Sequence, residues 1–251
     1  MQEQVEFAMT EDNRDWGESH FHRGLMDACR LPVAMPTFLE AYTQTLFEVS
    51  CASAFQLYGM NIEAPCGVYS PHETSSTRFV LDHFEAAGLN SAKGSFLEIG
   101  CGAGAIALRA AKIGWVTSAG DVDPVAVDAA RKNADSNNLK LDARVSDMFS
   151  AFADQRFDAI LFNQPFFHVG RPIKLEERTL SAPDGRLHVD FLARAKQHLR
   201  PGGSVVFSYS NCSDVGAFVQ PGWDISLRAF DYDGAANYIR ALYIAKPTLG
   251  T

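Results

Sequence analysis

The sequence predicts a doubly wound α/β domain built on a mostly parallel sheet. Three stretches indicate this fold: an apolar strand running through glycines into a helix (96–113), a second strand ending at Asp121 before a proline-started helix, and the nearly continuous apolar run Phe157–Phe162. Strands that alternate with helices are typical of βαβ units, whose buried parallel strands are apolar on both faces. Because such sheets bind ligands at the carboxyl ends of their strands, the residues after each strand are the candidate site residues.

The composition is that of an ordinary globular protein, with 251 residues, 47% hydrophobic and 21% charged. No run approaches eighteen apolar residues, and the N-terminus lacks the basic start of a signal peptide, so we expect a cytoplasmic protein without a membrane partner. Five cysteines without a C-x-x-C pair indicate free thiols and no structural zinc. The formal net charge of −8 shows no basic footprint, which argues against nucleic acid as a partner.

The glycine turn is the first candidate binding element. The stretch Phe-Leu-Glu-Ile-Gly-Cys-Gly-Ala-Gly places Gly100, Gly102 and Gly104 between a strand and a helix. Glycines let the backbone approach a ligand closely, and the free N–H groups of the helix start face it. The spacing alone also fits dinucleotide-binding folds and ordinary tight turns. Glu98, two residues before the first glycine, is a carboxylate able to accept hydrogen bonds from a cationic amino group.

The residues around the turn distinguish these possibilities. Asp121 follows the last glycine by about seventeen residues, close to the offset at which an acid reaches ribose hydroxyls; the alternative is a helix-capping aspartate. The stretch E-I-G-C-G-A-G resembles the first motif of class I S-adenosylmethionine-dependent methyltransferases, which implies S-adenosylmethionine as cofactor. The resemblance further implies that Asp147, after the third strand, reaches the adenine amino group and that the apolar pair Met148 and Phe149 flanks the base. A plain N-cap is the alternative for Asp147.

A second motif follows the central strand Phe157–Phe162. The hexapeptide Asn163-Gln164-Pro165-Phe166-Phe167-His168 resembles the N-P-P-Y/F motif of methyltransferases that act on planar nitrogens of glutamine amides, adenine and ribosomal RNA guanine. The Asn163 side-chain oxygen and the residue 164 carbonyl can accept both hydrogens of an –NH₂ group, while Phe166 stacks on the planar group. The resemblance implies that Asn163, Gln164, Pro165 and Phe166 form the reaction centre, with Asn163 also beside the cofactor.

The sequence departs from that motif at its first proline, which is Gln164 here. The backbone carbonyl acceptor is kept, but the φ restriction is lost, and we expect a polar side chain to enter the site. This departure puts amide or base methylation in question.

The segments around these motifs complete the prediction. Residues 1–65 have apolar positions at helical spacing and predict a helical N-terminal cap, either a lid over the substrate or a structural cover; residues 66–251 form the cofactor domain. The stretch 66–74 resembles the segment that lines the cofactor pocket in glutamine-amide methyltransferases, with His72 as a turn residue. The loop 170–186 carries a basic rim, formed by Arg171, Lys174, Arg178 and Arg186.

Together the motifs predict a seven-stranded class I methyltransferase domain, Rossmann-like, with its helical cap. The expected reaction is N-methylation of an amide or amine on a small molecule or a peptide. Two alternatives remain open: methylation of a ribosomal or transfer RNA base, and cyclisation of S-adenosylmethionine itself, as in azetidine carboxylate synthases, which the altered motif would suit. A cofactor-binding subunit without activity is disfavoured because Glu98, Asp121 and Asn163 are all present. The oligomeric state is not predicted.

Overall fold

The computed structural model describes residues 53–73, 75–92, 94–165, 167–168, 181–218, 220–233 and 238–248. The strands are β1 Ser53–Leu57, β2 Met60–Ala64, β3 Ser95–Ile99, β4 Val116–Asp121, β5 Asp142–Val145, β6 Phe157–Phe162, β7 Phe167–His168, β8 Ser181–Ala182, β9 Leu199–Ser210, β10 Trp223–Asp233 and β11 Tyr238–Pro247. The α-helices are α1 Ser76–Asp82, α2 Ala105–Ile113, α3 Pro124–Ser136, α4 Arg186–Ala195 and the single turn α5 Val215–Phe218. Short 3₁₀ turns cover Ser150–Phe152 and Lys196–His198.

Within these ranges, seven strands form one sheet in the order β10-β11-β9-β6-β3-β4-β5. The strands β5, β4, β3, β6 and β9 run parallel, and β11 lies antiparallel between β9 and β10. The predicted doubly wound, mostly parallel seven-stranded sheet is confirmed. The chain moves outward from β3 to β5 and then returns to β6 on the other side of β3. Such a reversal opens a crevice at the carboxyl ends of β3 and β6.

Two apolar layers cover the sheet. Phe96, Ala159, Leu161 and Val206 face a core shared with α1, α2 and the β1–β2 hairpin. Their neighbours Leu97, Ile160, Phe162 and Val205 face the opposite core, formed with α4 and with the 3₁₀ turn after β5. The alternation follows from the two-residue period of a strand, and it decides which face each residue after β6 points to.

The helices after β3 and β4 begin where the sequence indicates. Pro124 occupies the first turn of α3, and the Asp123 side chain caps it by accepting a hydrogen bond from the Val125 N–H at 2.8 Å. Gly104, with φ of 82°, precedes α2 and offers no side-chain cap. The cap of α2 therefore comes from elsewhere in the fold.

The predicted helical cap is wrong where the structure describes it. Residues 53–64 form the antiparallel hairpin β1–β2, while residues 1–52 lie outside the described ranges. Leu57, Met60, Ile62 and Ala64 share the core of α1 and α2, so the hairpin packs as part of the cofactor domain. Apolar residues at 55, 57, 60, 62 and 64 fit a strand period as well as a helical one, and packing against α3 decides between them.

Two asparagines hold the edge of this hairpin, Asn133 within α3 and Asn137, which directly follows the helix as its C-cap. Asn137 accepts a hydrogen bond from the Asn61 N–H at 2.9 Å and donates one to its carbonyl at 2.7 Å. Asn133, one helical turn earlier, does the same with Glu63, at 2.9 Å for both bonds. Residues 61 and 63 point their backbone groups to the same side of the strand, so the two side-chain amides take the place of a neighbouring strand.

Among the described helices, none is long and apolar enough to cross a membrane.

Candidate active site

The glycine turn after β3 forms one wall of the crevice. Gly100, Gly102 and Gly104 all have positive φ, of 64°, 50° and 82°. A Cβ on Gly104 would lie 2.9 Å from the Cβ of Ala130 in α3, so the helix packs too closely for any side chain there. Among the described residues, a Cβ on Gly102 would approach only Val68 Cγ1, at 3.8 Å. Space is therefore left at Gly102 on the side where a ligand would approach.

Glu98 supplies the missing cap of α2. Its carboxylate is buried in the α2 face of β3, and its Oε2 accepts a hydrogen bond from the Ala107 N–H at 2.7 Å. The N–H groups of the first helical turn have no intrahelical acceptor, so this bond satisfies one of them. Burial raises the pKa of Glu98 well above its ordinary value, the Ala107 hydrogen bond opposes the shift, and the Asp121 charge adds to it. Contact with the cationic amine of a cofactor stays a prediction for this residue.

Asp121 fastens the glycine turn to the end of β4. Its Oδ2 accepts from the Gly102 N–H at 2.9 Å, and its Oδ1 accepts from the Asp123 N–H at 3.0 Å. Burial raises the pKa of Asp121, and these backbone hydrogen bonds oppose that shift. Val122, the next residue, exposes 61% of its surface, an apolar side chain beside the predicted ribose ligand that the sequence analysis did not single out.

The loop after β5 places Asp147 at the surface and turns the chain sharply at Met148, whose φ is 52°. Ser146 holds this turn, because its hydroxyl donates to the Met148 carbonyl at 2.8 Å and accepts from the Ala151 N–H at 3.0 Å. Phe149 is buried and stacks on His198, with ring centroids 4.4 Å apart. The expectation that Phe149 flanks an adenine is therefore wrong, since core packing already covers its ring. The roles of Asp147 and Met148 stay predictions.

These elements fit an adenosine-bearing sulfonium. The half-buried carboxylate of Asp121 lies at the end of β4, beside the open backbone of Gly102. The helix α2 directs its first N–H groups toward the same edge of the sheet. Asp121 would hold the ribose hydroxyls, and Gly100, Gly102 and Gly104 would admit the cofactor to the backbone.

The Asn163 turn forms the opposite wall. Ile99 pairs with Phe162 in the parallel ladder, so Gly100 and Asn163 follow adjacent strand ends, and a Cβ on Gly100 would lie 3.0 Å from the Phe162 ring. The Asn163 Oδ1 accepts from the Ser208 hydroxyl at 2.7 Å, and its Nδ2 donates to Ser76 Oγ at 3.1 Å. Together these two contacts hold the Asn163 amide between α1 and β9. Sequence reasoning did not identify Ser76 and Ser208, because they come from distant elements.

Gln164 does not behave as expected. Its side chain is 2% exposed and points to the α4 face, where its Nε2 lies 3.0 Å from the Ser208 carbonyl and 3.0 Å from His188 Nδ1. The prediction that this polar side chain enters the site is wrong, because the strand period turns it away from Asn163. Pro165 is half-buried, and Phe166 lies outside the described residues.

The segment before α1 runs along the same crevice. Val68 approaches Gly102, and the Tyr69 hydroxyl accepts from the Ser76 N–H at 3.2 Å. His72 is half-buried; burial lowers its pKa, and the Arg240 charge adds to the effect. Of the predicted basic rim, Arg186 is described and pairs with Asp184 at 2.8 Å, whereas Arg171, Lys174 and Arg178 lie outside the described residues.

Comparison with known proteins agrees with this geometry. The methyltransferase small domain family matches residues 59–215, which is more than half of the chain. The chain belongs to the methyltransferase small domain family. The predicted resemblance to S-adenosylmethionine-dependent methyltransferases is thereby confirmed at the level of the family.

Three curated relatives are similar over parts of the chain. A putative protein N5-glutamine methyltransferase of Methanocaldococcus jannaschii is 36% identical over 115 residues, 43% of this chain and 58% of the relative. The release factor glutamine methyltransferase of Streptococcus pneumoniae is 34% identical over 111 residues, 43% of this chain and 38% of the relative. The ribosomal RNA small subunit methyltransferase C of Actinobacillus pleuropneumoniae is 32% identical over 157 residues, 61% of this chain and 43% of the relative. The chain thus matches 38–58% of the length of these relatives, which is less than two thirds.

A solved structure confirms the fold. The 16S rRNA N2 G1207 methyltransferase of T. thermophilus, in complex with AdoMet and guanosine, superposes with a TM-score of 0.58 at 24% identity, covering 78% of this chain and 50% of that one.

The comparisons also correct the predicted partners. The prediction of a small-molecule or peptide substrate, with nucleic acid disfavoured, is wrong, because the relatives include a ribosomal RNA methyltransferase and a release factor glutamine methyltransferase. Net charge is summed over the whole chain and does not exclude local contact with RNA. The cytoplasmic location stays a prediction.

Proposed function

We propose that this chain transfers the methyl group of S-adenosylmethionine to a planar amino nitrogen, with the exocyclic amine of an RNA base as its preferred acceptor. The observation that carries the proposal is the fixed amide of Asn163. Ser208 donates to its oxygen and Ser76 accepts from its nitrogen, at the strand end adjacent to the glycine turn.

The chemistry asked of Asn163 is orientation. An amide oxygen has two lone pairs, and Ser208 occupies one of them, so the other can accept a substrate N–H. The backbone carbonyl of Gln164 is the second acceptor in the same turn. An amide takes no proton under these conditions, so Asn163 aligns the nitrogen and does not act as a base. S-adenosylmethionine supplies a methyl group that is already activated, and alignment with it is the main contribution to rate.

The choice of an RNA base rests on the extent of similarity. The match to the ribosomal RNA methyltransferase covers 157 residues, against 111 and 115 for the glutamine methyltransferases. The glutamine amide of a protein is the second candidate, favoured by the higher identities of 36% and 34%.

Transfer of radiolabelled methyl from S-adenosylmethionine tests the proposal, with 16S rRNA, assembled small subunits and a release factor offered separately. Label in RNA supports the RNA base as acceptor, and label in the release factor moves the assignment to the second candidate. Conversion of S-adenosylmethionine alone to methylthioadenosine overturns N-methylation.

Asn163→Ala should lower turnover by about 10²-fold or more while leaving cofactor affinity nearly unchanged, because the lost contact is made at the reacting centre. Asn137→Ala, an asparagine of the distant hairpin contact, is the matched control. Normal turnover in Asn163→Ala would refute the assignment.

A further inference from the structure

Two consecutive residues of the reaction turn hold the same residue of the neighbouring strand. Asn163 accepts from the hydroxyl of Ser208 at 2.7 Å, and Gln164 donates from its Nε2 to the carbonyl of Ser208 at 3.0 Å. Ser208 follows Phe207, which is the last β9 residue paired with β6. The turn is thus fastened to β9 immediately beyond the point where the ladder ends. We call these two contacts, together with their supports Ser76 and His188, the Ser208 clamp.

The clamp works from both faces of the sheet. Leu161 packs on the α1–α2 face and Phe162 on the α4 face. Continuing this alternation, Asn163 reaches Ser76 of α1, and Gln164 reaches His188 of α4. A turn held from one side could still rotate about the strand axis, whereas support from both sides removes that freedom.

His188 is a fixed support. Its ring is fully buried between the rings of Phe207 and Tyr209, each with its centroid 4.8 Å away. The Ser208 carbonyl can only accept, so the Gln164 group facing it is the NH₂, and His188 Nδ1 accepts the second hydrogen of that group. The imidazole proton then lies on Nε2, which is 3.4 Å from the Phe218 carbonyl. The contacts define one tautomer of a neutral ring.

Stability alone does not account for this arrangement. Among the described residues, Gln164 Oε1 is buried without a hydrogen-bond partner. An unsatisfied buried acceptor costs free energy that an apolar side chain at this position would not. The hydrogen bonds of Gln164 Nε2 therefore have a role beyond stability, which is to fix the geometry of the turn.

We propose that Gln164 and His188 are positioning residues, which fix the Asn163 amide and the residue 164 carbonyl through Ser208. In related motifs the ring of a proline restricts this turn; here a buried hydrogen-bonded side chain does so instead. This proposal rests on the proposed function in one respect, the role of the Asn163 amide in orienting the methyl acceptor. Its test does not depend on the proposed function.

The test is spectroscopic and needs no methyl acceptor. In the full chain labelled with ¹⁵N-asparagine, the two side-chain amide protons of Asn163 should show separate, protected resonances, assigned by their loss in Asn163→Ala. Gln164→Leu and His188→Leu should shift both resonances toward those of an unfolded asparagine and increase their exchange with water. The amide of Asn133, buried in the separate hairpin contact, is the internal control for folding.

A conservative variant separates positioning from packing. His188→Asn loses the imidazole ring, as His188→Leu does, but its Oδ1 can stand where Nδ1 stood and accept from Gln164. Both variants should lower the thermal midpoint, whereas the Asn163 resonances should return toward wild type only in His188→Asn. Unchanged Asn163 resonances in both leucine variants, with the Asn133 resonances intact, would overturn the proposal. Equal perturbation by His188→Asn and His188→Leu would overturn the role of the Nδ1 contact. Because no methyl transfer is measured, failure here is distinct from failure of the proposed reaction.

Discussion

Asn133 gives the sharpest test of how the hairpin and the glycine turn depend on each other. This side chain is 3% exposed and makes three hydrogen bonds of 2.9 Å: it accepts from the Glu63 N–H and donates to the carbonyls of Glu63 and Ala103. Ala103 belongs to the glycine turn, so a single amide links β2, α3 and the predicted cofactor backbone. Asn133→Ala removes all three bonds at once.

The expected loss follows from the setting of each bond. Three hydrogen bonds are worth about 1 kcal/mol each, and the Ala103 carbonyl, whose bond is buried, adds part of the penalty for an unsatisfied acceptor. The higher helix propensity of alanine offsets this loss of stability by about 0.6 kcal/mol. We therefore expect Asn133→Ala to lower the free energy of unfolding by about 2–4 kcal/mol.

Asn137→Ala, at the C-cap of the same helix, is the matched control. Asn137 makes the equivalent pair of contacts with Asn61, but these are exposed to water, and neither reaches the glycine turn. Its loss should cost about 1 kcal/mol, because water replaces the partners. Urea unfolding measures both free energies, and calorimetry measures affinity for S-adenosylmethionine, which should fall in Asn133→Ala and not in Asn137→Ala. Equal stability losses and equal affinities in the two variants would refute the link through Ala103.

Three further outcomes are expected. Because burial raises the pKa of Glu98, the folded state favours its protonated form, and stability is lost as the pH rises from the ordinary carboxyl range through the raised pKa. The stability of Glu98→Gln relative to wild type, measured by urea unfolding, should therefore increase across that pH range. A stability difference that does not change with pH would contradict the raised pKa of Glu98. Asp121→Ala should weaken S-adenosylmethionine binding by about 1.5–3 kcal/mol in calorimetry, as for hydrogen bonds to a charged group, and unchanged affinity in a folded variant would exclude Asp121 as the ribose ligand. Gln164→Pro should destabilise the protein by about 1–3 kcal/mol, since His188 and the Ser208 carbonyl lose their buried donor; a thermal midpoint at or above that of wild type would show that the ring of proline replaces those contacts.

Much of the fold could be predicted from the sequence because the relevant signals are local. The helix α2 directly follows the glycine turn and α3 begins at Pro124, both as predicted, because glycine and proline act on their own backbone. The sequence likewise identified Asp121 and Asn163 as residues at strand ends, since an apolar run followed by a polar residue marks the carboxyl edge of a buried parallel strand. The family resemblance rested on the same short motifs.

The tertiary structure decided the features that depend on partners from distant segments. The family resemblance placed Phe149 beside the adenine with Met148, but in the structure the ring of Phe149 is buried and stacks on His198. Residues 53–64 fit the period of a strand and that of a helix. Asn133 of α3 and Asn137 at its C-cap select the strand by forming hydrogen bonds at its edge.

Gln164 shows the division most clearly. The sequence shows that Gln164 replaces the first proline of the N-P-P-Y/F motif. The direction of the Gln164 side chain depends instead on the alternation of side chains along β6 and on His188, twenty-four residues away along the chain. The sequence alone predicted which residues would bind and orient a methyl donor and its acceptor. Only the packed structure determined which side chains face the crevice, because burial and hydrogen-bond satisfaction are properties of the assembled elements and not of any one of them.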